Sequence, residues 1–233
     1  MWEIKLNQQE FRFIAYYLGL INFSHMKKII TICILFLAAG ISIFCITQTP
    51  AGADKFQSGD IIFIVSASGQ GKAIQLATKS KYTHVGIVFK EGGKTFVYHA
   101  VEPVKKSTLE EFMEYSSDGQ YVVKRLKPTN PLNEKNNQQM LALANKLVGK
   151  HYDIYFNWSD DEIYCSELVW KLYKQSYGLE IGKLRPLKDF DLSSKEVKYI
   201  MEKRYGDHIP LNEQMISPGD MFNSDLLESV LVE

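Results

Sequence analysis

The sequence predicts an α+β domain, on three observations. Short β-rich runs bounded by Gly, Pro, Asn and Asp occur at 61–65, within 83–101 and at 120–127, and the two runs within 83–101 flank a tight turn, as in an antiparallel hairpin. Two clear helical periodicities follow, over 133–150 and from about 165 to 177. Apolar residues make up 45% and charged residues 23%, with no internal repeat, no low-complexity linker and no second hydrophobic nucleus, so a single domain accounts for the chain.

The first 53 residues stand apart from that domain. Lys27 and Lys28 precede an apolar run from Ile29 to Ile46, and Ala51-Gly52-Ala53 supplies small residues where a signal peptidase cuts. This reads as an N-terminal extension and export signal over 1–53, followed by a domain over 54–233. Met26 is an alternative start. The run of about 18 residues is also long enough for an uncleaved anchor. With the lysines on its N-terminal side the domain is expected outside the membrane either way, secreted or periplasmic. A formal net charge of zero gives no reason to expect a nucleic-acid partner.

Within the domain, Ser58-Gly59-Asp60 makes a turn into a strand over Ile61–Val65. SGQGKAIQLATKS reads as a loop entering a short helix, and its glycines lack the Lys-Ser/Thr pair of a phosphate-binding loop. YTHVGIVFKEGGKTFVYHAVEPV is the hairpin, and STLEEFMEYSSD a helical turn capped by Ser107 or Thr108. QYVVKRLKP is a strand stopped by Pro128. NEKNNQQMLALANKLVGK is a helix with Met140, Leu141, Ala144, Leu147 and Val148 inward and Gly149 at its end. HYDIYFNW is a short strand or an aromatic loop. The helix after Cys165 buries Leu168, Val169, Leu172 and Tyr173, and SSKEVKYIMEKRYG is one further helix among connectors.

Three cysteines occur, Cys33, Cys45 and Cys165, and only Cys165 belongs to the domain. One thiol cannot close an internal disulfide, so Cys165 is either an inert core residue or a reactive group. It stands at the start of a helix, where free N–H groups and the dipole stabilise a thiolate and depress its pKa. The same donors can hold the oxyanion that forms when sulfur attacks a carbonyl.

A nucleophilic thiol needs a base, and the hairpin supplies candidates. A three-residue loop, Gly92–Lys94, sets His84 opposite Glu102. In that register Tyr98, Ala100 and Glu102 share a face and His99 points to the other. A two-residue loop, Gly92-Gly93, sets Val101 opposite His84 instead. A histidine–carboxylate pair across the strands would orient the imidazole as a general base, or would be only a surface pair.

The segments GDIIFI, YTHVGIVF, YHAVEPV, YDIYFNW and YCSELVWKLY resemble the circularly permuted papain-like amidases, exported NlpC-like hydrolases akin to the lecithin retinol acyltransferases. The resemblance runs from about Gly59 to Tyr177, with a family-like tail beyond. It implies a small antiparallel sheet or barrel packed against helices. It also implies that Cys165 is the nucleophile, His84 the base and Glu102 the orienting residue, with His99 as the alternative because acyltransferase relatives use a second histidine. Tyr164 either shapes the cleft, donates to the oxyanion or packs in the core, Tyr82 is a candidate to line the site beside His84, and Asp153 to hold the aromatic segment near the cleft. Glu167 is a candidate for the cleft entrance, Trp158 and Trp170 read as packing residues, and His151 and His208 have no metal-like spacing. No metal or cofactor is expected, although Cys165, His84 and Glu102 are chemically able to ligate zinc. The expected substrate is an amide in a cell-wall peptide, an acylated small molecule or a lipid, cleaved through a thioester. Ester hydrolysis, acyl transfer to lipid, and a catalytically idle binding domain are the rival readings.

Overall fold

The computed structural model describes residues 55–130 and 132–233. The N-terminal extension, the apolar run 29–46 and the proposed cleavage site lie outside the described residues.

Ile61–Val65 opens the central strand, β1 (Ile61–Ser66), and its unbroken apolarity has a structural cause. Ile61 and Phe63 enter one core, Ile62 and Ile64 the other. A strand covered on both faces needs apolar residues at consecutive positions rather than alternate ones. β1 pairs antiparallel with β2 (His84–Glu91) on one side and β5 (Ser116–Leu126) on the other. β3 (Lys94–His99) and β4 (Lys105–Thr108) extend the sheet beyond β2, and β8 (Leu227–Val232) forms the far edge on β5. The six-stranded order is β4-β3-β2-β1-β5-β8. A two-stranded ribbon of β6 (Arg185–Pro186) and β7 (Gln214–Met215) lies outside it. A buried ion pair ties β1 to β5: Arg125 reaches both carboxylate oxygens of the fully buried Asp60, at 2.6 and 2.8 Å.

The larger core is closed by α3 (Glu134–Leu147) and α4 (Cys165–Tyr177), with α4 packed on β2, β3 and α3. Leu168, Val169, Leu172 and Tyr173 are buried as their spacing predicts; each aliphatic side chain contributes about 1.5–3 kcal/mol. Gly178, at φ 70°, ends the helix in the left-handed conformation that glycine adopts without penalty. Asn133 caps α3 by accepting the Asn136 N–H. Val148, expected inward, is 44% exposed, because the helix ends at Leu147 and the extended ψ of 131° turns the next side chain off its inner stripe. α1 (Gly71–Thr78) and α5 (Lys195–Tyr205) pack against each other beside this core. The second core, on the opposite face, centres on Phe112 of α2 (Leu109–Met113), whose cap is Thr108 in a reciprocal box with Glu111. α6 (Pro218–Phe222) leads into β8. Read from the sequence as part of a connecting tail, β8 is a sheet strand instead; its isolated apolar positions are too few to distinguish an edge strand from a loop.

The hairpin register corrects the reading built on a three-residue loop. Glu91 pairs with Lys94 and Ile87 with Tyr98, so the loop holds only Gly92 and Gly93. Both have positive φ, 56° and 78°, as the tight turn matching strand twist requires. The ladder ends at Tyr98 and the strand at His99, and Glu102 lies beyond both. The one-residue change of register reverses the parity: His99 shares a face with His84.

Candidate functional site

Cys165 is the first residue of α4 and is 4% exposed, against the free end of β2. The β2–β3 ladder stops at Ile87, so the Val85 N–H has no strand partner there and donates to Cys165 Sγ instead, together with the Ser166 N–H. These bonds favour a thiolate, but burial outweighs them and pushes the thiol up to about 11. The depressed pKa expected from the helix start is therefore not the resting state: at neutral pH Cys165 is a neutral thiol. Ser166 Oγ donates to the Ile216 carbonyl at 2.8 Å, and Tyr164 OH accepts the Ile216 N–H at 3.2 Å, fixing the helix start to the segment after β7. Glu167 Oε2 accepts the Tyr164 N–H from within the helix, and Lys171 Nζ lies 2.8 Å from the other oxygen.

His84 sits at the start of β2 with its ring in the second core, stacked on Phe112. Its Nε2 lies 2.9 Å from His99 Nδ1, and His99 Nε2 lies 3.1 Å from Ser107 Oγ. Both steps are diagonal: continued one residue past Ile87–Tyr98, the register sets His99 opposite Gly86, two residues from His84, and Ser107 stands two residues past Lys105, the partner of His99. Gly86 leaves the room this needs, since a Cβ there would meet Val97 Cγ1 at 2.5 Å and Phe112 at 3.2 Å. Burial lowers the pKa of His84 to about 4; that of His99 falls further, by burial and by the charges of His84 and Lys105. Both rings are neutral at pH 7. Among the described residues no hydrogen bond joins His84 to Cys165; the thiol reaches the main chain of the next residue, Val85.

Two cavities meet at this point. One, of about 100 Å³ and partly open to solvent, contains Cys165 and is walled mainly by apolar residues of α1, α5 and the segments around β6 and β7. The other, of about 270 Å³, contains His84 with Ser66, Ser68 and Glu102. Gln70, Thr83 and Tyr152 line both and form the wall between them.

Residues 55–231 match the family described as permuted papain-like amidase enzymes, YaeF/YiiX, C92 family. The chain belongs to that family. It is 42% identical over 188 residues to the uncharacterised protein YiiX of Escherichia coli K12, covering 81% of this chain and 92% of that protein. The crystal structure of YiiX from Escherichia coli O157:H7, described as a metalloprotein, is 42% identical, covers 77% of this chain and 98% of that one, and superposes with a TM-score of 0.74. Among the described residues of this family member, no three His, Cys, Asp or Glu side chains cluster so as to hold a metal ion.

The remaining sequence-predicted site residues divide. Tyr164 lines the cavity beside Cys165. Asp153 is buried and its Oδ1 accepts the Tyr155 N–H at 2.7 Å, holding the aromatic loop. Glu102 is not the partner of His84: it lines the rim of the His84 cavity and binds His151 Nδ1 at 2.8 Å and the Tyr152 N–H at 2.9 Å. The register moved it off the ladder. Tyr82 is not at the cleft, because its ring packs between Phe63 and Phe222 in the core. Glu167 is fully buried behind the helix start rather than at the cleft entrance. Trp158 and Trp170 pack edge to face, as expected of packing residues. The sequence reading missed Ser107 as a partner of His99. The alternation HAVEPVKKS carried the signal, but only once the β3–β4 register is known.

Proposed function

We propose that this protein is an exported cysteine hydrolase that cleaves an amide through a thioester on Cys165. The observation that carries this reading is the thiol at the start of α4, held by main-chain N–H groups of which one belongs to Val85, the residue after His84, whose ring opens the buried His84–His99–Ser107 chain. With Nε2–H of His84 donating to His99 Nδ1, and Nε2–H of His99 donating to Ser107 Oγ, the Nδ1 of His84 is left as the base; these tautomers are assigned by that requirement.

In the first half-reaction Nδ1 takes the thiol proton as Sγ bonds to the amide carbon. The Val85 and Ser166 N–H groups, released from the sulfur, are the donors nearest the developing oxyanion. The C–N bond then breaks, and His84 returns the proton to the leaving nitrogen as the amine departs. Water attacks the thioester, gives its proton to His84, and the thiol is reformed as the acid leaves. The neutral resting pair makes this a general-base mechanism, in which proton transfer accompanies attack, instead of one starting from a preformed thiolate–imidazolium pair. His84 has to swing its ring toward the sulfur, a looseness common in free enzymes. Export rests on Lys27, Lys28, the run 29–46 and the small residues at 51–53.

The test is release of free amine from a panel of N-acyl amides by the wild type and by Cys165→Ala. Release by the wild type alone supports the reading; equal release by both, or by neither, contradicts it.

A further inference from the structure

Two helices of this domain carry a glutamate at their third position, where a carboxylate reaches back to the N–H of the residue before the helix. Glu111 of α2 does so to Thr108, at 2.7 Å, from the exposed surface. Glu167 of α4 does so to Tyr164, at 3.3 Å, with its side chain fully buried. Capping a helix needs no burial, as Glu111 shows, and a carboxylate withdrawn from water needs a partner. Lys171 is that partner. It stands one turn along α4, its Nζ 2.8 Å from the second carboxylate oxygen and its side chain only 13% exposed.

The same Nζ donates to the Ser159 carbonyl and lies 2.8 Å from Asp160 Oδ1. The segment 159–164, which delivers the chain to Cys165, is thus fastened to α4 at both ends. Lys171 holds it at Ser159 and Asp160, and Glu167 holds it at Tyr164. Cys165 is the next residue, and its sulfur meets the Val85 and Ser166 N–H groups only while that turn keeps its place. Resting on the hydrolase reading for what the position serves, we infer that Glu167 is a positioning residue for Cys165, acting through the main chain of Tyr164 and braced by Lys171. Neither Glu167 nor Lys171 lines the cavity that holds Cys165 or the one that holds His84, so their effect on the chemistry passes through the main chain.

The test compares variants with the wild type in kcat and KM per folded molecule, and in the rate at which iodoacetamide alkylates Cys165 in the free protein at one alkaline pH. The main variant combines Glu167→Met with Lys171→Met, because apolar replacement of a buried ion pair strands no charge and leaves the fold standing. It should lower kcat by roughly tenfold to a hundredfold with KM little changed, the size expected when a reacting group is displaced by about 1 Å. Alkylation should quicken, because a loosened helix start takes the thiol out of the burial that keeps it neutral. Glu167→Gln keeps an acceptor for the Tyr164 N–H and should recover most of both. Glu111→Ala removes the matching bond from α2 and should leave both at wild type. Glu167→Leu with Lys171→Met gives the same comparison should the first pair not fold. A pair kept only for stability would move the melting temperature and neither readout. Wild-type kcat and alkylation in the doubly apolar protein would therefore overturn the inference, as would an equal change in Glu111→Ala, or a Glu167→Gln protein no better than the apolar one. If the wild type releases no amine from any substrate, the hydrolase reading fails and the alkylation series alone decides whether Glu167 positions Cys165.

Discussion

Cys165 and His84 are both buried, ionisable and neutral at rest, yet they are held in different ways. The sulfur is held by the main-chain N–H groups of Val85 and Ser166, and the side chains of Ser166 and Tyr164 pin the helix start to Ile216. The imidazole is fixed by side chains, His99 and then Ser107, reached diagonally across two strand pairs. Main-chain support follows from local structure and survives most substitutions. Side-chain support depends on register and can be removed one residue at a time. The proposed nucleophile should therefore depend on fewer neighbouring side chains than the proposed base, which depends on His99 and Ser107 in turn.

The largest effect breaks the first half of that comparison. Cys165→Ala should lower turnover by more than roughly 10⁴-fold while circular dichroism and melting temperature stay near wild type, since it removes the proposed nucleophile and one sulfur atom of volume. Turnover must be normalised to folded protein. His84→Ala comes next, at roughly 10²–10⁴-fold in kcat, as for a positioned proton acceptor.

The third substitution sharpens the contrast. His99→Ala strands a buried imidazole N–H of His84, costing about 1–3 kcal/mol, and should lower kcat by roughly fivefold to a hundredfold. His99→Asn should recover part of that loss, because an amide oxygen can still accept the bond, whereas a residue that only filled space would not be rescued by it. Glu102→Gln should change kcat and stability little, because its carboxylate is exposed and bonded to His151 and Tyr152. Equal losses at His99 and Glu102 would break the comparison.

The sequence made the place of Cys165 at a helix start legible and the partner of His84 illegible for the same physical reason. A cysteine before LVWKLY is local information: helix periodicity and an N-terminal turn place it without reference to the rest of the chain. The runs at 61–65 and 84–89 likewise declared themselves as buried strands. His84 and its partner depend on a loop length. Glu91-Gly92-Gly93-Lys94 fits a two- or a three-residue turn, and one residue of slip exchanges Glu102 for His99. Tyr82 failed differently, because adjacency to His84 in sequence says nothing of which face a side chain takes in the turn before a strand. The pKa of Cys165 failed on magnitude: helix-start donors are present, but burial outweighs them.

The smallest effects are in pH dependence, where the two halves again diverge. Activity should persist through mild acid and fall as His84 protonates near about 4, well below the ordinary value of 6.5. Folding stability follows the same group. An unfolded histidine gains its proton near 6.5 while the buried one resists until about 4, so stabilisation by the neutral ring is complete above the unfolded value and is lost as pH falls between the two. Urea midpoints at neutral and mildly acidic pH, with His84→Ala as the control, read this directly. Cys165 should respond at the other end: alkylation by iodoacetamide in the free protein should keep rising through alkaline pH toward about 11. A rate already at its plateau below the ordinary thiol value of about 8.5 would contradict a neutral resting thiol.

The most direct test of the central claim, that Cys165 carries the acyl group, is intact-mass measurement during turnover of an N-acyl amide, quenched in acid before the thioester hydrolyses. The account predicts a mass gain equal to the acyl group, located on the peptide containing Cys165, absent from Cys165→Ala and decaying as free acid accumulates. Turnover with no adduct on that peptide under any quench, or the same adduct on Cys165→Ala, would contradict it.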